Sequence, residues 1–212
     1  MQYDRITLGR QAKGLGFVRD TLEKVCRLAD VLAFMEKDPL LSDSLALKGG
    51  TAINLTIFDL PRLSVDIDLD FSKEVEREAM LEERKKITEH IQKYMAAAGY
   101  QLNAKSKQYH ALDSFVYEYV NAGGMKDNLK IEINYMLRAH ILPVSRRRAN
   151  LPWQKEPLTV LSIDPLEFWQ SFNNQEYRPD LLFSDDEFLN RVKRHPMALW
   201  KCGGRVKSDP KN

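Results

Sequence analysis

Only two cysteines, Cys26 and Cys202, occur in 212 residues, which excludes a disulfide framework and points to a reducing compartment. Long hydrophobic runs are missing as well. Charged residues break the apolar pattern every three or four positions, far short of the roughly 20 apolar residues of a membrane-spanning helix. The opening Met1-Gln2-Tyr3-Asp4-Arg5 has no basic stretch followed by an apolar core, so no secretion signal is expected. A cytoplasmic protein with no membrane partner is the expectation. Net charge is scarce too: 32 Lys and Arg stand against 30 Asp and Glu, leaving +2. That balance excludes a nucleic-acid coat held by bulk electrostatics and confines any RNA contact to a local patch. The four histidines, His90, His110, His140 and His195, have no metal-ligand spacing, and the chain carries no repeat and no low-complexity tract.

What is present suits one well-buried α/β (α+β) domain with a small appendage. Phe17, Leu22, Val25, Leu28, Ala29, Leu32 and Met35 recur at helical spacing before Asp38-Pro39, predicting an amphipathic helix that covers a sheet. Leu45-Ala46-Leu47 reads as a short strand, Thr51 to Phe58 as a helix, and Lys73 to Ala98 as a longer helix ended by Gly99. Tyr100 to Ser106, Asp113 to Ala122 and Asn128 to Arg138 read as strands, the last two joined at Gly123-Gly124 as a hairpin. Arg146-Arg147-Arg148, Pro152 and Pro157 mark a loop, and Leu158 to Leu161 one more strand. The expected division is a core over 1–165 and a helical tail over 166–212, with Asp185 to Arg194 its best helix.

The chemistry concentrates in Leu47-Lys48-Gly49-Gly50-Thr51-Ala52 and Arg62-Leu63-Ser64-Val65-Asp66-Ile67-Asp68-Leu69-Asp70-Phe71. Paired glycines opening a helix let backbone N–H groups approach an anion at the positive end of the helix dipole. Gly49, Gly50 and Thr51 therefore form a candidate phosphate cradle. Val65, Ile67, Leu69 and Phe71 alternate with three aspartates, so Asp66 and Asp68 project from one strand face, close enough to share Mg2+ or Mn2+. Asp70, one repeat further, is expected behind that pair or in solvent. Two-metal phosphoryl chemistry asks for a third carboxylate, and Glu132, in the alternating Lys130-Ile131-Glu132-Ile133-Asn134-Tyr135, is the candidate. The alternative to that ligand role is an ordinary cross-strand partner of Lys130 or of a lysine nearby. Arg62 and Ser64 flank the acidic strand, either as triphosphate contacts or as a surface ion pair. Lys48 faces solvent or phosphate. Arg146-Arg147-Arg148 beside Trp153 reads as a solvated loop rather than an RNA contact, because no second basic stretch accompanies it.

The sequence "KGGTA…PRLSVDIDLDF…KIEINY" resembles the nucleotidyltransferase toxins of the AbiEii/AbiGii family, within the polymerase-beta-like nucleotidyltransferase superfamily, from about Leu15 to Pro165. The resemblance implies a mixed sheet flanked by helices, transfer of a nucleoside monophosphate from an NTP, and a place in a two-gene toxin–antitoxin or abortive-infection pair with a cognate antitoxin. Acceptors proposed in that family include tRNA ends, making RNA the first expected acceptor. After Ile163-Asp164-Pro165-Leu166-Glu167 the family pattern continues into a helical region bearing an active-site lysine. Here Phe168-Trp169-Gln170-Ser171 follows directly and resembles the family's extreme C-terminal tail. A catalytically impaired remnant that still binds metal, nucleotide or a partner is thus one rival reading. A metal-dependent nuclease is the other, disfavoured because chain hydrolysis needs no triphosphate cradle.

Overall fold

The computed structural model describes residues 3–56, 65–136, 140, 144–151 and 158–163, with residues 161–163 described as backbone alone. Helix α1 (Arg5–Leu15) starts where the Asp4 carboxylate accepts the Thr7 N–H at 2.7 Å. It ends at Gly16, whose φ of 75° is the left-handed conformation of a helix stop. Helix α2 (Arg19–Lys37) carries the anticipated apolar stripe, burying Leu22, Val25, Leu28, Ala29, Leu32 and Met35. Asp38 closes α2 and caps α3 (Pro39–Ser44), its carboxylate accepting from the Leu40 and Leu41 N–H groups.

Strand β1 (Leu45–Lys48) runs into α4 (Gly49–Thr56), and β2 (Asp66–Phe71) into α5 (Arg77–Ala97). Then come β3 (Gln101–Leu102), β4 (Lys107–Gln108), β5 (Leu112–Val120), β6 (Lys126–Asn134), β7 (Val144–Arg148) and β8 (Thr159–Ile163). They form one eight-stranded sheet in the order β3-β5-β6-β2-β1-β8-β7, with β4 also on β5. The sheet is mixed: β2 lies parallel to β6 and β1 to β8, while β1–β2, β5–β6 and β7–β8 are antiparallel. This is the α/β (α+β) mixed-sheet architecture expected from the sequence.

Alternation along the strands sorts the two faces. Leu45, Leu47, Ile67, Leu69, Phe71, Phe115, Tyr117, Leu129, Ile131 and Ile133 are buried in one cluster with Val25, Leu28 and Leu32 of α2 and Ile87, Ile91 and Met95 of α5. Those two helices cover that face. Of the alternate positions, Asp66, Asp68, Ser114, Lys130 and Glu132 are half-buried or exposed, while Ala46, Asp70 and Asn134 are buried. No described helix is long and apolar enough to cross a membrane.

Several details differ from the sequence reading. Helix α1 was not anticipated, because Leu8 and Ala12 are its only buried residues and pack on a small cluster with Leu22 and Cys26. Helix α5 begins at Arg77 rather than Lys73, and the strand expected over Tyr100 to Ser106 shrinks to Gln101–Leu102 before a turn closed by Ser106 N–H to the Asn103 carbonyl. Arg146-Arg147-Arg148 is not a loop but part of β7, the edge strand beyond β8. Charge is a common feature of edge strands, since it discourages pairing with another chain. The tail over 166–212, Arg62, Ser64, Trp153, His195 and Cys202 all lie outside the described residues.

Candidate functional site

The parallel pairing of β2 with β6 sets Asp66 opposite Lys130, Asp68 opposite Glu132 and Asp70 opposite Asn134. The antiparallel pairing of β1 with β2 sets Lys48 opposite Asp68 on the other side. Neighbouring strands lie about 4.8 Å apart, so Asp68 stands on the open face between a lysine and a glutamate. Glu132, 64 positions downstream of Asp68 in the sequence, thus shares a face with Asp66 and Asp68, as their alternation requires.

Asp66 is exposed and Asp68 intermediate, while Asp70 is only 5 % exposed. Of the two places expected for Asp70, behind the pair or in solvent, its burial rules out the second, and it bonds the Lys48 ammonium at 2.5 Å. Lys48, its side chain 32 % exposed, is therefore engaged with a buried acid beside the site. Glu132 bonds the Lys130 ammonium at 3.0 Å, a pair within β6 rather than the cross-strand pair expected, since its ladder partners are Asp68 and Ser114. Burial pushes the Asp68 carboxyl upward, and the charges of Glu132 and Asp66 push the same way, against Lys48 and Lys130. The site is thus an acidic trio threaded by two lysines.

Its donor set, three carboxylates on adjacent strands, suits a hard divalent cation. The side chains as placed do not yet converge: among the described residues no group of three His, Cys, Asp or Glu is arranged to hold a metal. Glu132 is meanwhile paired with the Lys130 ammonium.

The glycine turn abuts the same carboxylate. Gly49 has a φ of 71°, and a Cβ added there would stand 2.9 Å from Asp68 Oδ2. Only glycine lets the backbone pass so close in that conformation. The turn is tied down on two sides: Asn54 Nδ2 donates to the Gly50 carbonyl at 2.7 Å, and the Thr51 hydroxyl donates to the Asp66 carbonyl at 2.5 Å. Thr51 is 1 % exposed. Its side chain clamps α4 onto the start of β2. The roles of Lys48 and Lys130 as ionic partners of Asp70 and Glu132 were not assigned from the sequence.

Of the basic run, Arg146 is exposed and pairs with Glu36, Arg147 is half-buried and Arg148 is exposed, on a strand separated from β2 by β1 and β8.

A profile of the family described as nucleotidyl transferase AbiEii toxin, type IV TA system, matches residues 33–167. No curated protein sequence matches the chain. Among solved structures, MenT4, a nucleotidyltransferase toxin from Mycobacterium tuberculosis H37Rv, is similar with a TM-score of 0.53 at 15 % identity, over 76 % of this chain and 55 % of that one. At that identity the likeness is one of fold, and the chain spans about half the length of that structure.

Proposed function

The chain belongs to the AbiEii nucleotidyl transferase toxin family, and on that premise we propose that its acidic sheet face transfers a nucleoside monophosphate from an NTP to an acceptor hydroxyl. The observation that carries the reading is the in-register placement of Asp68 beside Glu132, next to Asp66 and under the Gly49 turn. A nuclease built on the same carboxylates has no use for that turn. The amides of Gly49, Gly50 and Thr51 at the start of α4 would receive the phosphates, with Arg62 and Ser64 as flanking contacts. Asp66, Asp68 and Glu132 would hold Mg2+ or Mn2+, which when bound neutralises charge on the entering and leaving oxygens.

In the reaction an oxygen of the acceptor attacks the α-phosphorus. The new P–O bond forms as the bond to the β-phosphate bridge breaks, pyrophosphate departs, and the hydroxyl proton passes to solvent. The protein supplies position and charge compensation rather than a covalent intermediate. RNA is the preferred acceptor, a protein hydroxyl the second. The whole is read as the toxin of a two-gene system with a cognate antitoxin, acting in the cytoplasm.

The test is transfer of label from each α-labelled NTP to total RNA and to total protein, alongside nucleotide binding. Asp66→Asn with Asp68→Asn should lower transfer by about a thousandfold or more, the scale of removing preorganised charge stabilisation. Nucleotide binding without transfer in the unaltered chain would instead favour the catalytically impaired reading.

A further inference from the structure

The Lys130 ammonium sits where the acidic trio needs positive charge. It bonds Glu132 at 3.0 Å along its own strand and faces Asp66 across the β2–β6 ladder, while Val116, its neighbour on β5, offers it no charge. Among the described residues its ionic partners are the carboxylates of the candidate site: Glu132 by direct contact, Asp66 and Asp68 through their fields. A divalent cation arriving at Asp66, Asp68 and Glu132 therefore meets a carboxylate already committed to a lysine.

We propose that Lys130 is a positioning residue for metal loading: a built-in counter-cation that holds Glu132 aside in the metal-free chain and is displaced when the cation binds. The inference rests on the reading of Asp66, Asp68 and Glu132 as the metal-holding set. Displacement exchanges a monovalent ammonium for a divalent ion among the same oxygens, so the pair with Glu132 is a cost that binding must meet. Without the lysine that cost vanishes. The second lysine of the site, Lys48, is engaged with Asp70 rather than with Glu132 and serves as the internal comparison.

Calorimetric titration of the full chain with Mn2+ tests this. Lys130→Met should tighten Mn2+ binding by about three- to tenfold, the size of one half-exposed ion pair. Lys130→Gln should move affinity the same way, so that an unstable Met variant does not leave the question open. In a Glu132→Gln background the tightening should disappear, because the lysine acts through Glu132. Unchanged or weaker Mn2+ affinity in Lys130→Met and Lys130→Gln overturns the proposal while leaving the metal site intact. Persistence of the tightening in the Glu132→Gln background also overturns it, reducing Lys130 to a diffuse field. Failure of the unaltered chain to bind Mn2+ at all removes the metal reading, and this inference with it.

Discussion

Among the described glycines, Gly49 alone combines a left-handed backbone with a neighbour inside the space of an added methyl. Its backbone is left-handed at φ 71°, and the space a methyl would fill is already occupied by Asp68 Oδ2. Gly49→Ala therefore meets two penalties at once: about 1–2 kcal/mol for the conformation and displacement of the Asp68 carboxylate. Chemical denaturation should show the first, and calorimetry should show Mn2+ affinity falling further than in Gly124→Ala. Gly124 is also left-handed, at φ 82°, but has nothing within 4 Å of the added methyl. Equal Mn2+ affinity in the two variants would separate the turn from the site. At this scale much was legible: alternation alone put Asp66 and Asp68 on one face and Glu132 on a like face of its own strand. The ion pairs were not, because Lys48 bonds Asp70 diagonally rather than its ladder partner Asp68, and a side chain's choice between two acids two residues apart leaves no mark on periodicity.

Elements with a strong period were read to within a few residues, and weak ones were lost. Helix α2 has nine buried positions at helical spacing, whereas α1 has two and contains Gly9 and Gly14, so its existence depends on docking rather than on pattern. Strand β7 was hidden for a related reason: an edge strand with a run of arginines shows no alternation of apolar and polar residues. Asp38 joins elements more tightly than its sequence suggests. It terminates α2, caps α3 and accepts from His90 Nδ1 of α5 at 2.8 Å. Burial pushes its carboxyl up, yet the hydrogen bonds from His90, Leu41 and Leu40 outweigh that and leave it below the ordinary carboxylate value. A depressed folded-state pKa means stability that is present above the unfolded value and lost as pH falls below about 4. Asp38→Ala should cost about 1 kcal/mol at neutral pH and flatten the acid limb of the stability curve, while Asp38→Asn should keep part of the cap and lose the acid dependence. Urea denaturation between pH 3 and 7 checks both; an unaltered acid limb in Asp38→Asn would refute the assignment.

At the scale of the whole molecule, the sheet gathers on its open face charges that the unfolded chain keeps apart. The fold thereby bears an electrostatic load that a bound cation relieves. Two opposite shifts in thermal stability follow from that arrangement. Asp68 is raised above the ordinary carboxylate value by burial and by Glu132 and Asp66, so its ionised form opposes folding, and that opposition is felt at pH values above its folded-state pKa. Removing the charges with Asp66→Asn and Asp68→Asn should accordingly raise the midpoint of the metal-free protein at neutral pH, in the usual exchange of function for stability. The unaltered chain should gain its stability from the ligand instead. A cation that binds only the folded state contributes about 2.7 kcal/mol at a hundred times its dissociation constant, which for a protein of this size is roughly 5–10 °C in Tm. Melting curves across a Mn2+ series should thus climb for the unaltered chain and stay flat for the double variant, the two crossing at intermediate concentration. Parallel climbs in both proteins would mean that Mn2+ stabilises the fold somewhere other than Asp66 and Asp68, and a double variant less stable than the unaltered metal-free chain would mean that the lysines Lys48 and Lys130 already balance the face in full.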